Sequence, residues 1–344
     1  PLVCCVSDIH VGVHQNSTLW HKITLDWAEW LSKELKKQQI EDIIISGDFF
    51  HYRDEIAVNT IHFATKLLNI WKDFNIIMLV GNHDAYYKDK SDINSLSILN
   101  GWENIVTISE IKTVELFGRT VTFCPWGVKP IDIPKSDLVF GHFEIKSFKQ
   151  NIHKMCSSGF NAGDLLSKTN LVISGHFHLR DERVYENGSI LYLGNPFEMD
   201  FGDTDNTKGY YTLDFNTLKY KFTENKLSPK HKKILLSQLA KAGKLTPDIK
   251  KQFTNNFIKF VIDKNISGDE IDIVLKKFMS LHPTNINVEY SINFSKYRIE
   301  DEKIQDFSGV DIPVAIEEFV NLLEIENKKE VTDYTLQLLR RCTQ

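Results

Sequence analysis

The sequence predicts an α/β fold: a sandwich of two mixed β-sheets flanked by helices, then a small α+β domain and a C-terminal helical tail. Three observations predict it. Five short apolar runs in the first 180 residues each stop on a side chain able to bind metal, helical-period segments join the first of these runs, and alternating segments with turn residues follow the last. The runs are Leu2–Val6, Asp42–Ile45, Ile76–Val80, Asp137–Phe140 and Leu171–Ile173, rich in Val, Ile and Leu and short enough for buried strands. Their stops are Ser7-Asp8-Ile9-His10, Gly47-Asp48, Gly81-Asn82-His83-Asp84, Gly141-His142 and Gly175-His176-Phe177-His178. Strands that end together bring Asp, His and Asn onto one sheet edge, which is where α/β sheets hold ligands.

After the first run, Leu19, Ile23, Trp27, Trp30 and Leu31 recur at helical spacing, so a crossover helix over Leu19 to Leu35 returns the chain to Ile43–Ile45. A second helix fits Val58 to Trp71, and two β-α-β units in succession imply a parallel sheet. Between Asn104 and Phe123 the pattern is shorter and more β-branched, with Phe117-Gly118-Arg119 turning Lys112–Leu116 into Thr120–Phe123. Arg183–Tyr185, Ile190–Leu193, Tyr210–Phe215 and Leu218–Phe222 read as antiparallel hairpins, with turns at Asn187-Gly188 and Asn216-Thr217. A boundary near Asn225 to Pro229 closes a first domain over residues 1–224. A second, 225–298, carries Phe257–Ile262, a helix over Asp269–Ser280 and Ile286–Ile292, with Phe278 and Leu281 as core. In the tail, 299–344, two helical stripes begin after Val310: Ile316, Phe319, Val320 and Leu323, then Val331, Tyr334, Leu338 and Arg341. They suit either a helical hairpin packed on the parent domain or a docking element for a partner.

With 344 residues, 42% of them hydrophobic, the chain has enough for a full core and a second small domain. Nothing resembles a membrane span of about 20 apolar residues, and Pro1-Leu2-Val3 does not open a signal peptide, so no membrane association and a cytoplasmic location are expected. Cys4, Cys5, Cys124, Cys156 and Cys342 show no Cys-x-x-Cys spacing and read as reduced thiols rather than a disulfide framework or thiolate zinc site. The net charge of −5 does not mark a nucleic-acid binder, but its distribution is uneven. Residues 226–251 hold eight lysines against Asp248, whereas residues 300–330 hold ten acidic residues against three lysines. The first stretch suits either a solvated helix face or a phosphate track; the second cannot track phosphate.

The stops carry a specific chemistry. Asp8, His10, Asp48 and His178 suit one metal ion, and Asp48, Asn82, His142 and His176 a second, with Asp48 as the bridge because a carboxylate has two oxygens. Oxygen and nitrogen ligands without sulfur favour Mn²⁺, Fe²⁺ or Zn²⁺ over Ca²⁺ or Mg²⁺. Two such cations sharing a water lower its pKa and clamp phosphoryl oxygens, the requirements of phosphoester hydrolysis. His83, directly after Asn82, is placed to stabilise developing charge or protonate the leaving oxygen, and Asp84 to hold it by a carboxylate–imidazole hydrogen bond.

Ser7-Asp8-Ile9-His10-Val11-Gly12, Gly47-Asp48-Phe49-Phe50-His51, Gly81-Asn82-His83-Asp84, Gly141-His142 and Gly175-His176-Phe177-His178 resemble, over about residues 1–200, the motifs of the SbcD nucleases and their eukaryotic, archaeal and phage relatives. This is the Mre-eleven family of calcineurin-like metallophosphoesterases. The protein phosphatases of that superfamily have Asp where this chain has His51. The resemblance implies an Mn²⁺-dependent DNA nuclease of recombination and double-strand-break repair, with 3′-to-5′ exonuclease and single-strand endonuclease activity. It further implies a homodimer, a capping domain that grips duplex DNA, and C-terminal helices that bind an SMC-like ATPase of the SbcC type. On that reading His51 and Arg53 face DNA, and Lys230, Lys232 and Lys233 follow its phosphates. Two alternatives stay open: a metallophosphoesterase acting on nucleotides or phosphoproteins, and a non-catalytic scaffold of the same fold.

Overall fold

Apolar runs become strands here because both faces of each strand meet a core. The structure, a computed structural model, describes residues 1–152, 154–242, 246–264, 268–291, 312–323, 325 and 327–342. In β1 (Leu2–Val6), Cys4 and Val6 join the core under the helices, whereas Val3 and Cys5 join the core between the two sheets. In β2 (Asp42–Ile45), Ile43 and Ile45 take the helix side and Ile44 the sheet side. The strands that follow are β3 (Asn75–Leu79), β4 (Ile105–Ile108), β5 (Lys112–Leu116), β6 (Arg119–Cys124) and β7 (Leu138–His142). A small hairpin of β8 (Lys149–Asn151) and β9 (Lys154–Met155) precedes β10 (Leu171–Gly175), β11 (Asp181–Tyr185), β12 (Gly188–Tyr192), β13 (Gly209–Asp214) and β14 (Lys219–Glu224).

The first sheet runs β14-β13-β1-β2-β3-β4, with β1 to β4 parallel and β13 antiparallel to both its neighbours. The second runs β11-β12-β10-β7-β6-β5, parallel from β12 to β6 and antiparallel at both edges. Both sheets are mixed, as the sequence predicts. The helices Thr18–Lys37 and Val58–Ile70 cover the first sheet through Trp27, Leu31 and Leu35 and through Leu67 and Leu68. Trp27 and Trp71 meet edge to face at 5.4 Å, and the Trp71 indole N–H donates to the Ala28 carbonyl at 3.1 Å.

Two departures from the sequence reading matter for the proposed site and its surroundings. β7 and β10 continue through His142 and Gly175, so these residues belong to strands rather than to the loops beyond them. The lysine-rich stretch is no single helix face: it is β15 (His231–Leu235) followed by the helices Leu236–Ala242 and Pro247–Phe253. β15, β16 (Phe257–Ile262) and β17 (Asn285–Tyr290) form a three-stranded sheet, and the helix Gly268–Met279 stands where one was expected. The tail contains helices Ile312–Leu322 and Lys328–Cys342. His153, Lys244, Ile292, Val310 and the expected boundary at 298–299 lie outside the described residues.

The chain divides into two units, Pro1–Lys233 with Thr246–Lys259 and Leu275–Asn287, and Ile234–Leu245 with Phe260–Val274 and Val288–Gln344. No helix among the described residues is long and apolar enough to cross a membrane. Cys4, Cys5, Cys124 and Cys156 are free and buried.

Ile44 is 1% exposed between the sheets, whereas Val106 on β4 is 48% exposed. Ile44→Ala should cost about 2–5 kcal/mol in urea unfolding and Val106→Ala less than about 1 kcal/mol. Equal losses would contradict the placement of the inter-sheet core.

Candidate metal centre

The loops after β1 and β2 go on pairing beyond the strands: Asp8 N–H donates to Gly47 O at 3.1 Å and His10 N–H to Asp48 O at 3.0 Å. That pairing lays the first two motifs side by side. It also requires left-handed backbone at Asp8 (φ 54°), His10 (51°) and Asp48 (54°), and His176 shares that conformation (94°). Such a conformation is uncommon for any residue but glycine, though Asp and His adopt it more readily than most, and it is typical of backbone held by a functional site. The third motif comes equally close, since a Cβ on Gly81 would overlap the Asp48 carboxylate and amide.

Asp48 sits at the centre of the resulting cluster. Its Oδ2 lies 3.6 Å from His10 Nε2 and 3.4 Å from His142 Nε2, and its Oδ1 accepts the His83 N–H at 2.8 Å. His10 Nε2 faces His178 Nε2 at 3.0 Å and Asp8 Oδ1 at 3.9 Å. Asn82 Oδ1 lies 2.9 Å from His142 Nε2 and 2.7 Å from His176 Nδ1, and both Asp8 oxygens lie 3.2 Å from the His176 amide. All seven residues expected as metal ligands therefore converge. Asp8, His10 and His178 form one group whose ligand atoms lie within 4.8 Å of one another, and Asp8, Asp48 and His142 form another.

The donors fit divalent cations. His142 gives its Nδ1–H to the Ser46 carbonyl at 2.7 Å, which turns Nε2 toward Asp48 and Asn82. Burial opposes a charge on His142, yet the Asp48 and Asp8 carboxylates hold it up to about 9, so that without a cation Nε2 carries a proton. A divalent cation held there by Nε2 would take the proton's place. Burial alone would raise Asp48, but His142, His10 and His83 hold it well below the usual carboxylate range. Burial lowers His10 and, with His142 beside it, takes His176 down to about 3, leaving both imidazoles neutral as ligands must be.

A family model for calcineurin-like phosphoesterases matches residues 1–180, the segment that supplies all of these donors. The chain belongs to that family. Over 98% of its length it is similar, at 24% identity, to 98% of exonuclease subunit 1 of Enterobacteria phage T4. The SbcD component of the SbcCD nuclease of Staphylococcus epidermidis is also 24% identical, over 79% of this chain and 82% of that protein. A solved structure described as a novel archaeal phosphodiesterase covers 65% of the chain at 13% identity with a TM-score of 0.38. The resemblance read from the motifs thus extends beyond them to nearly the whole chain.

Two residues of this phosphoesterase centre behave differently from expectation. His83 Nδ1–H donates to the His51 carbonyl at 2.6 Å, not to Asp84. Asp84 is buried, and its oxygens are taken up by the amides of Phe49 (3.2 Å), Phe50 (2.9 Å) and Gly81 (3.0 Å) and by the Ser95 hydroxyl at 3.5 Å. A carboxylate offers about four acceptor sites, so none is left for an imidazole. Asp84 therefore ties the second motif to the third rather than supporting His83. Burial and the nearby Asp48 push Asp84 up to about 7 despite these donors.

His51, expected to face DNA, is half-buried, with Nδ1 3.2 Å from His10 Nδ1 and its ring stacked on His83 at 5.2 Å. Arg53 is half-exposed. Lys230 lies 3.2 Å from Glu198, so part of its charge is already matched. Lys232 and Lys233 are exposed but adjacent on a strand, so they project to opposite faces instead of forming one track. The sequence reading missed Glu144, whose Oε2 is 4.0 Å from His176 Nε2; it lies two residues past the end of β7, where strand alternation gives no signal. Trp126, half-buried, packs on the His176 ring with centroids 5.1 Å apart.

Glu198, 4% exposed, also accepts the His231 N–H at 2.8 Å. Burial would raise its carboxyl, but His231 and Lys230 hold it below its ordinary 4.5. Such a group contributes stability that is complete above the ordinary value and lost as pH falls through the folded one. Thermal melts of Glu198→Gln should show a lower Tm at neutral pH and a flatter decline below about pH 4.5. An acid limb as steep as that of the wild type would remove Glu198 from the account.

Proposed function

We propose that this chain is the nuclease subunit of a DNA recombination and break-repair complex, a two-metal phosphodiesterase with Mn²⁺ as its cation. The observation that carries this reading is the convergence of six further candidate ligands around Asp48, with His83 beside them. Similarity to proteins named as an exonuclease subunit and a nuclease subunit, along nearly the whole chain in the first case, supports DNA as substrate over nucleotides or phosphoproteins. The same names support a partner protein, for which an SMC-like ATPase bound to the C-terminal helices is the reading offered, with homodimerisation and a cytoplasmic site of action.

Asp8, His10, Asp48 and His178 would hold one cation, and Asp48, Asn82, His142 and His176 the other. When bound, the pair supplies Lewis acidity toward phosphoryl oxygens and acidifies water. The remaining work falls to the protein. With Nδ1–H held by the His51 carbonyl and its amide held by Asp48, His83 in its imidazolium form presents Nε2–H, whose proton goes to the oxygen leaving phosphorus and leaves the ring neutral. Water forms the new P–O bond as the bond to the leaving oxygen breaks. Asp84 keeps the Phe49–Phe50 and Gly81 backbones in register, so that Asp48 and Asn82 approach one another correctly. His51, Arg53 and one of Lys232 and Lys233, which project to opposite faces of β15, are the proposed DNA contacts, with Lys230 shared between Glu198 and a phosphate.

End-labelled duplex DNA should be digested with Mn²⁺ and left intact with a chelator. His83→Ala should retain both cations while cleavage falls about 10²- to 10⁴-fold. Undiminished cleavage by the variant would remove His83 from the chemistry. Rapid turnover of nucleotide monoesters without DNA degradation would replace the nuclease reading with the small-molecule one.

A further inference from the structure

Lys208 has no exposed surface (0%) and takes no part in the centre described above. A buried ammonium needs its charge and its N–H donors matched, and replacing a buried ion pair by apolar groups is often neutral or stabilising, so stability alone does not explain one. Its Nζ donates to the backbone carbonyl of His178 at 2.7 Å and lies 3.4 Å from Asp203 Oδ1. That same oxygen of Asp203, a residue 2% exposed, lies 3.7 Å from His178 Nδ1. The other carboxylate oxygen accepts from Asn195 Nδ2 at 2.7 Å and from the Met199 N–H at 2.8 Å, which fixes the orientation of the group. Both contacts of the buried lysine thus lead to one residue, once at its backbone and once at its ring. The opposite nitrogen of that ring, Nε2, faces His10 Nε2 in the metal centre.

We propose that Asp203 and Lys208 form a positioning pair for His178: Asp203 keeps the ring hydrogen on Nδ1, and Lys208 anchors the backbone, so that Nε2 meets the cation with its lone pair. At 3.7 Å the carboxylate acts on Nδ1–H through its charge rather than through a full hydrogen bond. Outer groups of this kind set the tautomer and basicity of metal-bound imidazoles. The proposal rests on the metal reading of the centre.

Asp203→Asn tests it with little change of shape. Asn195 and Met199 both offer N–H donors to Oδ2, so the variant's amide keeps its oxygen there and turns its NH₂ toward Nδ1. That reverses the donor and moves the ring hydrogen to Nε2, aimed at the cation. Because Lys208 would then lose its countercharge, Asp203→Asn with Lys208→Met serves as a charge-balanced companion. Calorimetric titration with Mn²⁺ should show two ions in the wild type, one of them weakened about 10- to 100-fold in both variants. ¹⁵N spectra of the metal-free proteins should show one histidine changing from the Nδ1–H to the Nε2–H form in both variants.

Wild-type Mn²⁺ affinity in both variants would overturn the proposal. So would a loss of affinity with every tautomer unchanged, since that is what a merely structural pair produces. A wild-type protein that takes up no divalent cation would overturn the metal reading itself, and this proposal with it.

Discussion

Asp48 is a carboxylate kept ionised in a place where burial alone would neutralise it. An isolated charge there would be too costly to retain, and what retains it is a set of imidazoles delivered from the second sheet and from two loops that follow strands of the first. His142 comes from β7 of the second sheet, His10 from the loop after β1, and the His83 amide from the loop after β3. The dependence is mutual, because the carboxylate raises His142 while His142 lowers the carboxylate. With the far side of the His142 ring bound to the Ser46 carbonyl, this pair joins β2 to β7 where the two sheets end together.

Close approach at that edge accounts for much of the local sequence. Ser7 donates to the Ser46 carbonyl at 3.0 Å, and a Cβ on Gly175 would overlap both that hydroxyl and that carbonyl. The small residue that opens each motif therefore serves a steric need as well as a turn. Left-handed backbone at four of the seven converging residues belongs to the same picture, since regular strands could not turn their last side chains inward toward a common point.

Around these residues, orientation is set largely by backbone groups. The Ser46 and His51 carbonyls fix Nδ1 as the donating nitrogen of His142 and His83, and the amides of Phe49, Phe50 and Gly81 occupy Asp84. Backbone partners of this kind are fixed by strand register, so the chemistry of the centre follows from the pairing of β1, β2 and β3. The hydrophobic layers on either face of these strands, Ile43 and Ile45 on one side and Ile44 on the other, hold that register.

The amino-acid sequence by itself determined the strands, their order around the crossover helices and the types of side chain at their ends, because burial on both faces writes a continuous apolar run and the Asp, Asn and His at the stops are oxygen and nitrogen donors suited to a metal. It also singled out the seven residues that converge. Only the tertiary structure decided which atom each side chain presents and to which partner. Asp84 looked like a support for His83 because the two are neighbours in sequence, yet its oxygens belong to amides of a loop that precedes it by more than 30 residues. Lys230 looked free until Glu198 was brought beside it, and Lys232 and Lys233 looked like one track until β15 sent them to opposite faces. Asp203 and Lys208 carried no local pattern at all. The physical reason is common to these cases: hydrogen bonds and ion pairs act over about 3–4 Å of space, and separation along the chain does not specify that distance.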